Sequence, residues 1–187
     1  DNIFYGGGLS GFLKTAVENA ENNKATIFGY YVNDPERFGI MEFDENMNII
    51  SVEEKPTNPR SNYCITGLYF YPAGVSNMAK DVKPSKRGEL EITTLNDMYL
   101  KDNRLKAQVL GRGFAWLDTG TMDSLVEATE FVQITEKRQG VKISAPEEIA
   151  YRKGWITREQ LIKSADKYGK SPYGEHLRRV ADGSLKY

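Results

Sequence analysis

The chain of 187 residues holds one cysteine, Cys64, and one histidine, His176. A lone thiol rules out an internal disulfide, and with it a small secreted fold stapled by disulfides. Together the two residues are too few for a zinc cluster, and they make Cys–His nucleophilic catalysis a poor candidate. Cys64 sits in the apolar run Tyr63-Cys64-Ile65 and reads as a packing residue. His176 reads as a surface or packing residue rather than a ligand. A charge excess is also missing: 25 basic residues offset 26 acidic ones, for a net charge of −1. Such a balance carries no electrostatic footprint for nucleic acid, and the Arg178-Arg179 pair reads as a solvated helix face. No stretch reaches the ~18 apolar residues of a membrane span, and the opening residues lack a signal-peptide pattern. Neither nucleic acid nor a membrane is expected as a partner. The phosphate-loop and H-E-x-x-H patterns are absent, as are internal repeats and low-complexity linkers.

What remains is an ordinary globular composition, 40% hydrophobic and 27% charged, in which helix-like and strand-like segments alternate. That alternation argues for an α/β fold. Residues 9–22 carry Leu9, Phe12, Leu13, Ala16, Val17 and Ala20 at helical spacing. Strands are expected over residues 25–32, 39–44, 48–55, 63–71 and 105–110. The pair 39–44 and 48–55 reads as a hairpin turned by Glu45-Asn46-Met47-Asn48, and 63–71 as a buried central strand. Further helices are expected over 73–80, 91–101 and 122–136, the last with Met122, Leu125, Val126 and Val132 inward. After Leu110 the only strand-like run is Val141-Lys142-Ile143. Ser144-Ala145-Pro146-Glu147 and Thr157-Arg158-Glu159-Gln160 both read as capping boxes, the second with Ile156 and Leu161 as a hydrophobic staple. The reading therefore divides the chain into 1–140 and a helical subdomain, 141–187.

Four segments could carry chemistry: Asp1-Asn2-Ile3-Phe4-Tyr5-Gly6, read as an acidic residue before a turn; Glu53-Glu54-Lys55-Pro56 at a strand end; the basic loop 83–92; and the run 111–121, in which Asp118 precedes a glycine turn into a helix. From residue chemistry alone they amount to a possible phosphate and metal site. Each also has a plainer reading, as solvated strand-end charge, surface loop or helix cap. Gly6-Gly7-Gly8 reads as a turn before the first helix, or as a phosphate cradle at its start.

Taken together in order, these strings resemble the sugar nucleotidyltransferases, and within them the glucose-1-phosphate thymidylyltransferases. The likeness is carried by Asp1–Gly6, Asp34-Pro35-Glu36-Arg37-Phe38-Gly39, Glu53-Glu54-Lys55-Pro56, Ser61-Asn62-Tyr63, Thr66-Gly67-Leu68-Tyr69-Phe70-Tyr71, Arg87-Gly88-Glu89-Leu90-Glu91-Ile92-Thr93 and Trp116-Leu117-Asp118-Thr119-Gly120-Thr121. It implies a Rossmann-like, mostly parallel sheet flanked by helices, incomplete in this chain, with a small sugar-side β subdomain. It implies a cytoplasmic enzyme that joins dTTP and α-D-glucose 1-phosphate into dTDP-glucose and pyrophosphate, on the route to dTDP-rhamnose. The alternatives are a sibling using another nucleoside triphosphate and a non-catalytic sugar-phosphate-binding module.

The resemblance assigns roles residue by residue. Asp1 and Asp118 would be the Mg²⁺ carboxylates. Lys55 and Arg87 would hold the sugar phosphate. Glu54 and the backbone at Gly39 would bind glucose hydroxyls, with Ile65 and Tyr69 lining the sugar side. Regular strand geometry sends Glu54 and Lys55 to opposite faces, so both reach one substrate only if the strand twists or ends there, as Pro56 suggests. Glu148, Ile149 and Arg152 would belong to a regulatory region where a dTDP-sugar inhibits a homotetramer. The family's glycine-rich loop and thymine pocket would precede Asp1, so these residues alone are expected to be inactive.

Overall fold

In the computed structural model, residues 2–185 are described. The chain divides into two compact units, Asp1–Ala128 and Thr129–Tyr187. The first contains strands β1 (Asn2–Gly6), β2 (Ala25–Tyr31), β3 (Gly39–Phe43), β4 (Ile49–Glu54), β5 (Tyr63–Phe70), β6 (Leu105–Val109) and β7 (Phe114–Asp118). It also contains helices α1 (Leu9–Glu21), α2 (Val75–Ala79) and α3 (Ile92–Lys101), a 3-10 turn at Pro35–Arg37, and the first half of α4 (Met122–Gln139). The boundary between the units falls inside α4.

Five strands form one sheet in the order β4-β3-β5-β2-β6. β2 and β6 run parallel, and the other pairs in this sheet run antiparallel. β2 shows why helices cover both faces. Its side chains alternate, so Ala25 and Ile27 pack with Leu95 and Tyr99 of α3, while Phe28 packs on the other side with Ala16 of α1. A strand buried on both faces cannot alternate polar and apolar residues, and β2 does not. The expected hairpin is present. Asp44 holds its turn by accepting from the backbone N–H of Asn46 (2.9 Å) and Asn48 (2.7 Å), and the Asn48 bonds depress its carboxyl pKa. A bulge skips Ile50, since Glu42 pairs with Ser51 while Phe43 pairs with Ile49. Ile49 and Val52 thereby join the core, and Ile50 is thrown outward.

Several expectations fail in instructive ways. β1 and β7 pair antiparallel into a two-stranded ribbon, from Asn2↔Asp118 to Gly6↔Phe114, where no strand was expected. Conversely, Val141–Ile143 is not a strand: the Ile143 N–H donates to Glu136 Oε1 at 3.0 Å instead of to a ladder. In α4, Met122, Leu125 and Val126 are 76%, 47% and 54% exposed, and the buried positions are Ser124, Ala128 and Thr135. The Thr121 and Ser124 hydroxyls lie 2.7 Å apart and Arg37 donates to Ser124, so this small polar face is turned inward.

The second unit contains the rest of α4, α5 (Pro146–Arg152), α6 (Arg158–Lys167) and α7 (Pro172–Ala181). Its core is Leu161, Ala165, Leu177, Val180 and Ala181. The Thr157–Gln160 capping box is present, and Ile156 packs on the cluster that holds Leu161. The Ser144 box is not. Ser144 has φ 61°, and Glu147 accepts instead from the Tyr168 and Tyr173 hydroxyls at 2.9 and 2.5 Å. Pro146, at the helix start, has no N–H needing a cap. Arg178, expected on a solvated face, donates to the carbonyls of Gly169 and Ala165 at the end of α6. Among the described residues, no helix is long and apolar enough to cross a membrane.

Candidate active site

A cavity of about 560 Å³ opens in the first unit where β3, β4, β5 and β7 meet the start of α3. Gly39, Glu54, Lys55, Ile65, Tyr69 and Asp118, six of the residues singled out from the sequence, line it. They come together by register. Gly39 stands opposite Glu54 across the β3–β4 ladder. A Cβ at position 39 would lie 2.9 Å from Thr93 Oγ1 and 3.1 Å from Glu54 Oε2. Glycine is thus required for the backbone to reach the cavity wall.

The Glu54–Lys55 problem resolves at the backbone. Lys55 has φ +43°, a left-handed conformation rare for a residue with a side chain, and its N–H donates to the Phe38 carbonyl at 3.0 Å. The strand ends with a twist, and buried Pro56 follows. Two successive side chains that a straight strand would separate therefore both line one cavity.

Glu54 is held from two sides. Thr93 donates to its Oε2 at 2.5 Å, and Arg87 Nη1 lies 3.8 Å from its Oε1. Arg87 does not line the cavity itself; it also pairs with Glu89 at 3.1 Å and Glu91 at 3.5 Å. Burial, with the Glu54 charge adding to it, pushes the Tyr69 hydroxyl up to about 12, so at neutral pH it is an uncharged donor and acceptor. Burial likewise raises the Cys64 thiol to about 12, which fits the packing role read from the sequence.

At the other end of the cavity, Asp118 closes β7. Its Oδ2 accepts from the Gly120 N–H at 3.1 Å and lies 3.7 Å from Arg37 Nη2. Asn2 faces Asp118 across the ribbon. It accepts from Trp116 Nε1 at 2.9 Å and packs so closely that a Cβ on Gly67 would meet its Nδ2 at 2.0 Å. Asp1, the other expected metal carboxylate, lies outside the described residues. Among the described residues there is no cluster of three or more metal-binding side chains. The donor set still fits Mg²⁺, which usually takes one or two carboxylates and fills its shell with water and substrate phosphate oxygens. Asp118 is the carboxylate available for that.

Arg37, Phe38, Thr93 and Trp116 line the cavity and were not singled out as site residues, although all four lie inside the quoted strings. Phe38 and Trp116 meet edge to face at 5.3 Å, and the Arg37 guanidinium lies 5.1 Å over the Phe38 ring. For Arg37 the signal was its spacing from Asp34, three apart around a proline, which pairs them at 2.7 Å.

The regulatory candidates lie in the second unit. Glu148 is buried and accepts from Arg152 Nε at 2.7 Å and His176 Nε2 at 2.6 Å, which fastens α5 to α7. His176 is accordingly a packing residue. Ile149 is exposed.

Residues 1–135 match the family model described as Nucleotidyl transferase. The chain is 52% identical over 177 residues to the glucose-1-phosphate thymidylyltransferase of Neisseria gonorrhoeae, covering 95% of this chain and 61% of that protein. It is 49% identical over 177 residues to the enzyme of that name from Mycobacterium tuberculosis, covering 95% and 60%. Among solved structures, it resembles a Bacillus anthracis protein assigned as a glucose-1-phosphate thymidylyltransferase and crystallised with sucrose. That match has a TM-score of 0.61 and 37% identity, over 70% of this chain and 51% of that one. A UDP-glucose pyrophosphorylase bound to UDP-glucose shares the fold, with a TM-score of 0.61 at 19% identity, over 72% and 54% of the two chains. The chain spans about 61% of the length of such curated relatives.

Proposed function

The chain belongs to the nucleotidyl transferase family, and from that premise we propose that it carries the sugar-phosphate and metal side of a transferase making dTDP-glucose and pyrophosphate from dTTP and α-D-glucose 1-phosphate. The observation that carries this reading is the convergence of Gly39, Glu54, Lys55 and Asp118 on one cavity.

The roles follow from side-chain chemistry. Glu54, fixed by Thr93, accepts from sugar hydroxyls, and the backbone at Gly39 comes close enough to join it. Tyr69 and Ile65 form the sugar-side wall. Lys55 places a point charge on the sugar phosphate, and Arg87, held by Glu89 and Glu91 with Glu54 farther off, supplies a second cation from the rim. The nucleophile is a phosphate oxygen already anionic at neutral pH, so no histidine or cysteine is needed. The residues' work is alignment for in-line attack on the α-phosphorus and neutralisation of crowded phosphates. Mg²⁺, when held by Asp118 and Asp1, would supply Lewis-acid neutralisation of phosphate oxygens. The reading extends to a cytoplasmic homotetramer whose second unit takes a dTDP-sugar at Ile149 and Arg152.

Titration calorimetry with glucose 1-phosphate tests it, with glucose and inorganic phosphate as comparison ligands. Pyrophosphate release with dTTP, UTP, CTP and ATP is measured alongside, on a protein in which these residues are joined to the family's glycine-rich loop and nucleotide pocket. Preferential binding of glucose 1-phosphate, weakened by Lys55→Met and by Glu54→Gln, is the expected result. Equal response to all three ligands would end the sugar-phosphate assignment, and preference for another triphosphate would replace dTTP.

A further inference from the structure

We propose that Asn96, on α3 behind the cavity, is a positioning residue for the sugar-side wall: through Tyr71 it fixes the Tyr69 ring, and so sets how sharply the site tells a sugar phosphate from bare phosphate. This rests on Tyr69 lining the sugar side in the proposed function.

Tyr69 lines the cavity, so its use to a ligand depends on where its ring is held. Tyr71 lies two residues on, the spacing that puts side chains on one face of an extended chain. The two rings are nearly parallel, 14° apart in plane with centroids 6.1 Å apart. Tyr71 is itself held on two sides. Its ring leans on Tyr99 of α3 at 5.5 Å, and its hydroxyl donates to Asn96 Oδ1 at 2.5 Å. Burial raises the Tyr71 hydroxyl above its ordinary pKa, with Tyr69 and Tyr99 adding to it, so it stays a donor at neutral pH.

Asn96 is fully buried, one helical turn beyond Thr93, which is also buried. Thr93 holds Glu54. One face of α3 thus sets two groups of the cavity wall: Glu54 through Thr93, and Tyr69 through Asn96 and Tyr71. The amide is costly where it stands. Its Nδ2 is buried with no hydrogen-bond partner among the described residues, and such a group destabilises a fold. Leucine has the same branched heavy-atom skeleton and would carry no such penalty. Packing alone gives no reason for an amide here; the hydroxyl of Tyr71 does.

The test uses the whole chain with Asn96→Leu, Tyr71→Phe and the double variant. Calorimetry reads the binding of glucose 1-phosphate and of inorganic phosphate, and thermal melting reads stability. Each single variant should weaken glucose 1-phosphate binding roughly fivefold, the order expected for losing one well-placed hydrogen bond, and leave phosphate binding unchanged. The double variant removes both polar partners, a change that is near neutral or stabilising. Its melting point should therefore return to the parent's or exceed it, while the fivefold loss persists. A residue that only holds the fold together would behave otherwise. Binding would recover along with stability, or both ligands would weaken together, and either result overturns the proposal. Fluorine NMR of the chain labelled with 3-fluorotyrosine reads the ring itself, the Tyr69 line being the one absent in Tyr69→Phe. That line should move toward its unfolded position in all three variants, and a line that stays put overturns the proposal. If the parent chain binds phosphate and glucose 1-phosphate equally, the sugar-phosphate assignment falls, and the Tyr69 line still decides whether Asn96 holds that ring.

Discussion

The two units treat their charged side chains in opposite ways. In the first, the ion pairs between groups on either side of the cavity are long, although each group is anchored elsewhere: Arg87 and Glu54 are 3.8 Å apart, Arg37 and Asp118 3.7 Å. Lys55 faces the cavity from a left-handed backbone. In the second, acidic groups are tightly satisfied: Glu148 by His176 and Arg152, Glu147 by Tyr173 and Tyr168. A charge already holding short bonds in a dry interior has little left to offer a ligand. A charge held at arm's length by a neighbour is oriented yet still available. Partner distance and burial, more than charge count, separate the two uses.

This contrast can be broken by substitution. The largest effect is expected at His176. His176→Ala removes one short-range partner of the buried Glu148, and losing one partner of a buried pair costs about 3 kcal/mol or more. Chemical denaturation followed by circular dichroism should show the loss in the helical unit, with glucose 1-phosphate binding retained. A change within ~0.5 kcal/mol would mean that the tight network is not structural.

Lys55→Gly should move stability and binding in opposite directions. Relieving φ +43° stabilises by up to about 1 kcal/mol, while glucose 1-phosphate affinity falls at least tenfold. Coincident loss of both would mean that the lysine is part of the fold rather than of the site. Next comes Thr157→Ala, which removes the capping hydroxyl of α6 and should cost about 1 kcal/mol. Thr157→Ser should restore most of it, as measured by thermal melting.

The smallest effect is in pH. Hydrogen bonding to Tyr173 holds the Glu147 carboxyl below its ordinary value of 4.5. A depressed pKa contributes stability above the unfolded value that is lost as pH falls through the folded one. The helical unit should therefore weaken below about pH 4.5, and Glu147→Gln should flatten that slope. An unchanged slope would assign the acid sensitivity to other carboxylates.

Local pattern made much of this fold legible. α1, β2, the β3–β4 hairpin and α3 follow from periodicity and turn chemistry inside each segment. The β1–β7 ribbon was hidden because its partners are far apart in sequence and glycines flank both runs, so each read as a turn. The inward face of α4 was misread because a small polar face, organised by Thr121, Ser124 and Arg37, outweighs its apolar stripe, and only tertiary contacts reveal that. At the site, Glu54, Lys55 and Asp118 were identified by family resemblance. Residue chemistry alone stopped at a possible phosphate and metal site. Arg37 and Thr93 escaped because their meaning lies in what they touch, Asp118 and Glu54 on other elements.

The ribbon also bears on the order of events in folding. Its two strands bracket nearly the whole first unit, so their pairing closes a very long loop. Closing it yields little until the intervening sheet and helices have already drawn the ends together. Asp118, which ends one of these strands, thus reaches its station late. A refolding chain should bury its β2 core before the wall of the cavity that Asp118 lines is complete, and the newly made protein should pass through a moment when it is compact but its cavity is still unformed.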